Sequence, residues 1–155
     1  MKWIILSLIL FSILVSGSIS KDYIMDEVDF SASGKAIADM GVPLFYRSEE
    51  LPSMYGLWHP PLMIYLIGAS FLLFGQSEVS ARIVPFIFSL CTVVLIYLIA
   101  LRLTKRNDVA IIASLLYTIN PFVIQSSILL DIDGGLLTFA IMLFFYLPLS
   151  RIKGQ

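Results

Sequence analysis

The sequence predicts an all-α integral membrane protein with about four transmembrane helices, plus amphipathic or re-entrant helices in the first outer loop. Of the 155 residues, 59% are hydrophobic and only 14% are charged, whereas a soluble domain is about 45–50% apolar and about 25% charged. The chain also contains four apolar segments that carry no charged residue. A bilayer core requires roughly 20 apolar helical residues, so these segments are candidate spans.

The same composition excludes several other classes of protein. Intrinsic disorder requires low hydrophobicity and high charge, and neither is present. Cys91 is the only cysteine, so no internal disulfide can form. The net charge is −1 and the chain has no basic stripe, so no nucleic-acid partner is expected.

The candidate spans cover residues 3–19, 81–103, 109–130 and 135–150, and residues 20–80 form an outer loop with interfacial helices. The first segment is either an anchor helix or a cleavable signal peptide, because Lys2 precedes an apolar run that ends in small residues. A further apolar stretch, Pro61–Gly75, would be about 22 Å long as a helix. That length favours a re-entrant or interfacial helix over a full crossing.

The positions of Lys and Arg predict the orientation. If Pro61–Gly75 does not cross, six basic residues lie inside (Lys2, Arg102, Lys105, Arg106, Arg151 and Lys153) and four lie outside. If it does cross, the most basic loop moves outside, against the positive-inside tendency. The non-crossing topology is therefore favoured, and it puts Ser48 outside and Asn107 inside.

Two shorter helices are predicted inside the outer loop. Residues Asp29–Met40 have Phe30 and Ile37 near one apolar side, and Gly41 and Pro43 end this helix. Such a helix would lie on the membrane surface. Pro60 and Pro61 then set an extended entry into a second helix, Leu62–Phe74.

Two acidic pairs, Asp26–Glu27 and Asp131-x-Asp133, fall on the same outer face in this topology. Carboxylates that converge at one membrane face form a candidate reaction or ion site. The alternatives are solvated loop charge for the first pair and a polar turn for the second. His59 could likewise serve packing or capping, and Arg82 could mark the membrane interface by snorkelling.

In their order and spacing these motifs resemble the start of the C-type membrane glycosyltransferases. The chain shows an N-terminal anchor, then Asp26–Glu27, a short helix and His59–Pro60–Pro61–Leu62. Leu73–Phe74–Gly75-x-Ser77–Glu78-x-x-Ala81–Arg82-x-x-Pro85 follows, and then Asp131–Ile132–Asp133–Gly134–Gly135. This order is similar to glycosyltransferase family 39, which holds the protein O-mannosyltransferases and the lipid A aminoarabinose transferase. Trp58–His59 stands where the aminoarabinose branch tends to have Glu-Lys.

The resemblance implies transfer of a sugar, with inversion, from a polyprenyl-phosphate carrier to an acceptor hydroxyl on the non-cytoplasmic face. Asp26 is then the expected catalytic base, and Glu27 orients the acceptor or a basic partner. Arg82 contacts the lipid phosphate or pairs with Glu27 or Glu78.

The remaining candidate site residues are implied substrate contacts. His59 is one, and Asp131 or Asp133 could hold sugar hydroxyls or a divalent cation. No other cofactor and no established metal ligand set is expected.

Enzymes of this family are several times longer than this chain, so a truncated or split enzyme with a second chain supplying further spans is expected. The expected partners are a polyprenyl-phosphate-sugar lipid, the membrane and a protein, glycan or lipid acceptor. Two alternatives stay open. One is a non-catalytic membrane module that binds a polyprenyl lipid or a partner protein. The other is an ion-coupled transporter fragment that uses Asp131 and Asp133 as carriers.

Overall fold

The computed structural model describes residues 2–24, 26–45, 54–55, 61–131 and 133–151. Over these ranges the chain forms seven helices: α1 (Lys2–Ser16), α2 (Glu27–Met40), α3 (Leu62–Phe74), α4 (Glu78–Thr104), α5 (Asn107–Thr118), α6 (Pro121–Ser126) and α7 (Gly135–Arg151). The predicted helical fold is thereby confirmed. A short antiparallel pair, β1 (Leu44–Phe45) and β2 (Met54–Tyr55), was not predicted.

Within the described ranges, α4 is the one helix both long enough and apolar enough to cross a membrane. Its 27 residues exceed the roughly 20 that a bilayer core needs. The helices α1, α3, α5 and α7 are also apolar but shorter, at 10–17 residues. The four predicted crossings are therefore supported fully for α4 alone, and the other three stay predictions.

The helices α4 and α7 run side by side in the same direction. At their beginnings, Gly135 packs so closely on Pro85 and Ser89 that a Cβ atom would not fit. Near their ends, the Arg102 guanidinium donates to the carbonyl oxygen of Leu149 at 3.0 Å. Because two parallel helices need a return segment between them, α5 and α6 run the opposite way. This alternation of directions is the one that the predicted topology requires.

The segment predicted as a single span over residues 109–130 is interrupted at Asn120. Helix α5 ends at Thr118, and α6 begins at Pro121. The Asn120 side chain accepts a hydrogen bond from the Phe122 amide at 2.9 Å, which caps the new helix. The interruption has a physical cause: proline disfavours helical backbone at the residue before it and cannot donate a hydrogen bond.

Helices α2 and α3 pack together at the end of the bundle where α4 begins. Phe30 and Ile37 of α2 join Met63, Ile67 and Phe71 of α3 in one buried cluster, which also includes Ala81, Val84, Leu130 and Leu136. Both helices occur at the predicted positions. Leu72, Leu73 and Phe74 in the last turn of α3 are exposed, so apolar side chains of this helix also lie outside the buried cluster.

Two glycines allow α2 and α3 to approach closely. A Cβ atom on Gly34 would lie 2.5 Å from Cγ2 of Ile67, and one on Gly68 would lie 2.6 Å from Cγ2 of Ile37. The contact is reciprocal: Gly34 of α2 faces Ile67 of α3, and Gly68 of α3 faces Ile37 of α2. Because isoleucine has restricted χ1 freedom, neither side chain can move aside easily.

We expect Gly34→Ala to destabilise the fold. The 2.5 Å approach to the stiff Ile67 side chain favours the upper part of the usual overpacking cost, about 2–3 kcal/mol. The better helix propensity of alanine returns about 1 kcal/mol, so the net loss should be about 1–2 kcal/mol. Unfolding of the purified protein in detergent measures the change. Gly17→Ala is the matched control because a Cβ atom there meets nothing within 4 Å. Equal stability of the two variants would contradict the close packing.

Candidate functional site

A buried ion pair joins the beginnings of α2 and α4. Arg82 donates from Nη2 to Oε2 of Glu27 at 2.7 Å and from Nε to Oε1 at 3.1 Å. Both side chains are only 3% exposed. This two-point contact is the planar geometry that arginine and carboxylates favour. Because buried charges are costly unless paired and fully hydrogen-bonded, the remaining polar atoms of both groups also need partners.

The other N–H groups of Arg82 bind the segment that connects α1 to α2. Nη2 donates to the carbonyl oxygen of Asp22 at 2.9 Å. Nη1 contacts the carbonyl oxygens of Lys21, Ser18 and Ile19. All three nitrogen atoms of the guanidinium are thus engaged. The connecting segment is held by its backbone, which leaves its side chains available for other contacts.

Glu27 in turn binds two backbone amides from distant parts of the chain. Oε2 accepts from the Ile24 amide at 3.0 Å, and Oε1 accepts from the Leu130 amide at 3.2 Å. Leu130 immediately precedes Asp131 in the sequence. One carboxylate therefore connects the segment after α1, the start of α4 and the segment before α7. The two acidic motifs lie at the same end of the molecule for this reason.

Arg82 thus adopts one of the arrangements that the sequence allowed, namely pairing with Glu27. Its donors are occupied by the carboxylate and by backbone carbonyls. A direct contact from Arg82 to a lipid phosphate would require breaking these bonds. Roles for Glu27 and Arg82 in a reaction stay predictions.

Asp26 lies next to this pair and faces outward. It occupies the N-cap position of α2, but its side chain makes no capping hydrogen bond. Its carbonyl oxygen accepts from the amides of Asp29 and Phe30 at 3.0 and 3.1 Å, which fixes its backbone. The Asp26 side chain is exposed. Its backbone is therefore fixed, and its carboxylate remains accessible.

A small cavity of about 200 Å³ opens beside the ion pair. Its lining comprises Ser18, Lys21, Asp22, Ile24, Glu27, Arg82, Gln125, Ile128 and Leu129. Lys21 and Gln125 were not predicted as site residues. No sequence signal indicated them, because both reach the cavity only through the packing of α6 against the end of α1. Lys21 supplies a cation whose side chain, unlike that of Arg82, is exposed.

The other predicted site residues are Asp131, Asp133 and His59. Asp133 is exposed in the turn before α7. Asp131 is half-buried in the segment between α6 and α7. His59 lies outside the described residues. Within the described ranges, no three His, Cys, Asp or Glu side chains come together in a way that could hold a metal ion. A cation at Asp131 and Asp133 stays a prediction.

Tyr23 closes the other side of the ion pair. The Arg82 guanidinium carbon lies 5.4 Å from the centre of the Tyr23 ring, within cation–π range. The Tyr23 hydroxyl donates to the carbonyl oxygen of Ser77 at 3.3 Å. Burial raises the pKa of Tyr23 above its usual value, and a hydrogen bond with Ser31 partly opposes this. The tyrosine is therefore a neutral cover over the guanidinium.

More than half of the chain matches a known protein family. The model of the dolichyl-phosphate-mannose-protein mannosyltransferase family matches residues 58–155. The chain belongs to this family. Members of the family are integral membrane proteins, which agrees with the apolar composition and with α4. The match includes Arg82, Asp131 and Asp133 but begins after Asp26 and Glu27.

A curated relative extends the comparison. The chain is 33% identical over 94 residues to a dolichyl-phosphooligosaccharide-protein glycotransferase 1 of Archaeoglobus fulgidus. The aligned part is 59% of this chain and 16% of the relative, so the chain spans a small fraction of that protein's length. No solved structure matches the chain. Family membership supports a glycosyltransferase at the level of the family.

We expect Arg82→Met to destabilise the protein by about 3–5 kcal/mol, because it leaves the Glu27 carboxylate buried without its counter-charge. Unfolding in detergent measures the loss. The double variant Glu27→Met/Arg82→Met should lose less than the sum of the two single variants, since neither partner is then orphaned. Asp108→Asn removes the exposed ion pair with Arg106 and should leave stability unchanged. Additive losses in the double variant would contradict the coupling.

Proposed function

We propose that this chain forms part of a membrane glycosyltransferase that moves a sugar from a polyprenyl-phosphate donor to an acceptor hydroxyl on the non-cytoplasmic face. The observation that carries the proposal is the exposed Asp26, fixed at the start of α2 beside the buried Glu27–Arg82 pair. Family membership supports the reaction class. The cavity beside the pair is the proposed position of the sugar phosphate.

In the proposed reaction the acceptor oxygen attacks C1 of the sugar from the face opposite the phosphate. The bond between C1 and the phosphate oxygen breaks, and polyprenyl phosphate leaves with the electron pair. Asp26 accepts the proton of the acceptor hydroxyl. Phosphate is already a good leaving group, so no general acid is required. One new C–O bond replaces one broken C–O bond, with inversion at C1.

Glu27 and Arg82 act in this proposal as positioning residues. Their contacts hold the backbone of Asp22 and Ile24, just before Asp26, and the amide of Leu130, just before Asp131. Lys21, in the cavity lining, is the proposed phosphate contact, because the Arg82 donors are already engaged. Asp131, Asp133 and His59 remain proposed substrate contacts.

Neither alternative function is favoured by a specific observation. A transporter that carries ions on Asp131 and Asp133 needs both carboxylates inside the helix bundle, and Asp133 is exposed in a turn. A non-catalytic module would bind a polyprenyl lipid without transferring the sugar. The activity measurement below separates this module from the enzyme.

We expect Asp26→Asn to lower the rate of sugar transfer about 10²- to 10⁴-fold, the usual contribution of a general base. The assay follows a labelled sugar from a polyprenyl-phosphate donor to acceptor, in membranes that hold the chain with the products of neighbouring reading frames. Asp39→Asn is the matched control, because this exposed residue lies near the other end of α2 and does not line the cavity. Asparagine can still accept the hydrogen bond from Gln76 there. Undiminished transfer by Asp26→Asn would exclude Asp26 as the base. Donor binding without any transfer would favour the non-catalytic module.

We also propose that α1 is a retained anchor and that α1, α4, the α5–α6 pair and α7 cross the membrane in alternating directions. Phe11 and Val15 of α1 are fully buried. The hydroxyl oxygens of Ser7 in α1 and Ser114 in α5 are 3.4 Å apart. Removing residues 1–19 would also take away two carbonyl acceptors of Arg82.

Cysteine labelling tests this topology in a Cys91→Ser background. We expect Asn107→Cys to react with an impermeant maleimide from the cytoplasmic side only, and Lys35→Cys from the opposite side only, because α4 separates the two positions. Intact mass spectrometry reports the label and also whether residues 1–19 remain. Labelling of Asn107→Cys from outside would overturn the topology, and a mass lacking residues 1–19 would overturn the retained anchor.

A further inference from the structure

An apolar groove lies along α4, α5 and α7, at the end of the bundle away from the Glu27–Arg82 pair. Its volume is about 590 Å³, and Ile99, Leu103 and Thr104 of α4 face Leu116 of α5 and Met142 of α7 across it. Leu103 and Leu116 are each more than half exposed. In the described part of the chain nothing covers these side chains. The groove is therefore an unfilled apolar slot on the bundle surface.

Exposed cations surround the end of this groove. Lys105 directly follows Thr104, which lines the slot, and Arg102, Arg106 and Arg151 are exposed at the same end. Arg106 is paired with Asp108 at 2.5 Å. Among the described residues, the Lys105 ammonium has neither an ion-pair nor a hydrogen-bond partner. An apolar slot therefore ends beside an uncompensated positive charge.

This combination matches one class of ligand. An acyl chain would fill the slot, and an anionic headgroup would lie against Lys105 and Arg102. A neutral phospholipid would fill the groove but leave the charges unpaired, and a transmembrane helix would match both features only if it carried an acidic residue at the level of Lys105. Basic pockets between membrane helices on the cytoplasmic side are known to bind anionic headgroups.

We propose that this groove binds an anionic phospholipid from the leaflet in which α4 ends. The proposal rests on α4 crossing the membrane, and it is independent of the sugar-transfer site because the groove lies at the opposite end of α4. The lipid would seal the space among α4, α5 and α7 next to the interruption at Asn120, which also lines the groove.

Native mass spectrometry of the purified chain, titrated with phosphatidylglycerol or phosphatidylcholine, tests the proposal. We expect phosphatidylglycerol to bind about tenfold more tightly. Lys105→Gln should lower this affinity about fivefold, the usual effect of one cation near an anionic headgroup, and Lys105→Arg should retain it. Lys35→Gln, at the other end of the molecule, is the matched control and should bind normally. Equal binding of the two lipids would overturn the proposal.

A second variant separates the groove from the surface charge. Ala100 lines the slot, and Ala100→Phe should fill it and weaken phosphatidylglycerol binding while detergent-unfolding stability confirms the fold. Unchanged binding by this variant would mean that the headgroup binds without the groove, and the proposal would fail. Displacement of phosphatidylglycerol by equimolar polyprenyl phosphate would also overturn it, because the groove would then select the sugar carrier.

Discussion

The Glu27 carboxylate is the contact on which the architecture of the outer end depends. It is shared by the Arg82 guanidinium and by the amides of Ile24 and Leu130, so a single side chain connects three distant segments. Hydrogen bonds to a buried carboxylate strengthen in a low-dielectric environment, while an orphaned charge there is costly. The arrangement is therefore stable only when it is complete. Loss of any one member leaves the others without a partner, and the backbone before Asp26 is held by the same contacts.

Around this contact the helices divide into two structural layers. The antiparallel and parallel contacts of α1, α4, α5 and α7 form the apolar bundle, and α2 and α3 cover the end at which α4 begins. Close approach in both layers depends on glycine, at Gly34 and Gly68 between α2 and α3 and at Gly135 between α7 and α4. Packing by small residues is common where helices associate in an apolar solvent, because burial of apolar surface no longer drives association there.

The sequence predicted the helices α2 and α3 well, since Gly41 and Pro61 bound them with local signals that need no tertiary information. The assignment of loops to the inside and the outside, which depends on the distribution of lysine and arginine, stays a prediction. The Asn120–Pro121 pair indicates a kink inside the apolar segment 109–130, but the continuous hydropathy of that segment did not show that it divides into two separate helices. For Arg82 the sequence offered several partners. Arg82 pairs with Glu27 in part because backbone carbonyl oxygens of residues 18–22 hold its guanidinium. The positions of backbone atoms cannot be predicted from the side chains of those residues.

The parallel pairing of α4 and α7 has a consequence for how the protein is made. During synthesis α4 emerges first, and its partner follows only after the chain has returned through α5 and α6. Until then the surface around Pro85 and Ser89 lacks Gly135, the neighbour that later packs against it. The most intimate helix contact of the bundle is thus among the last to assemble.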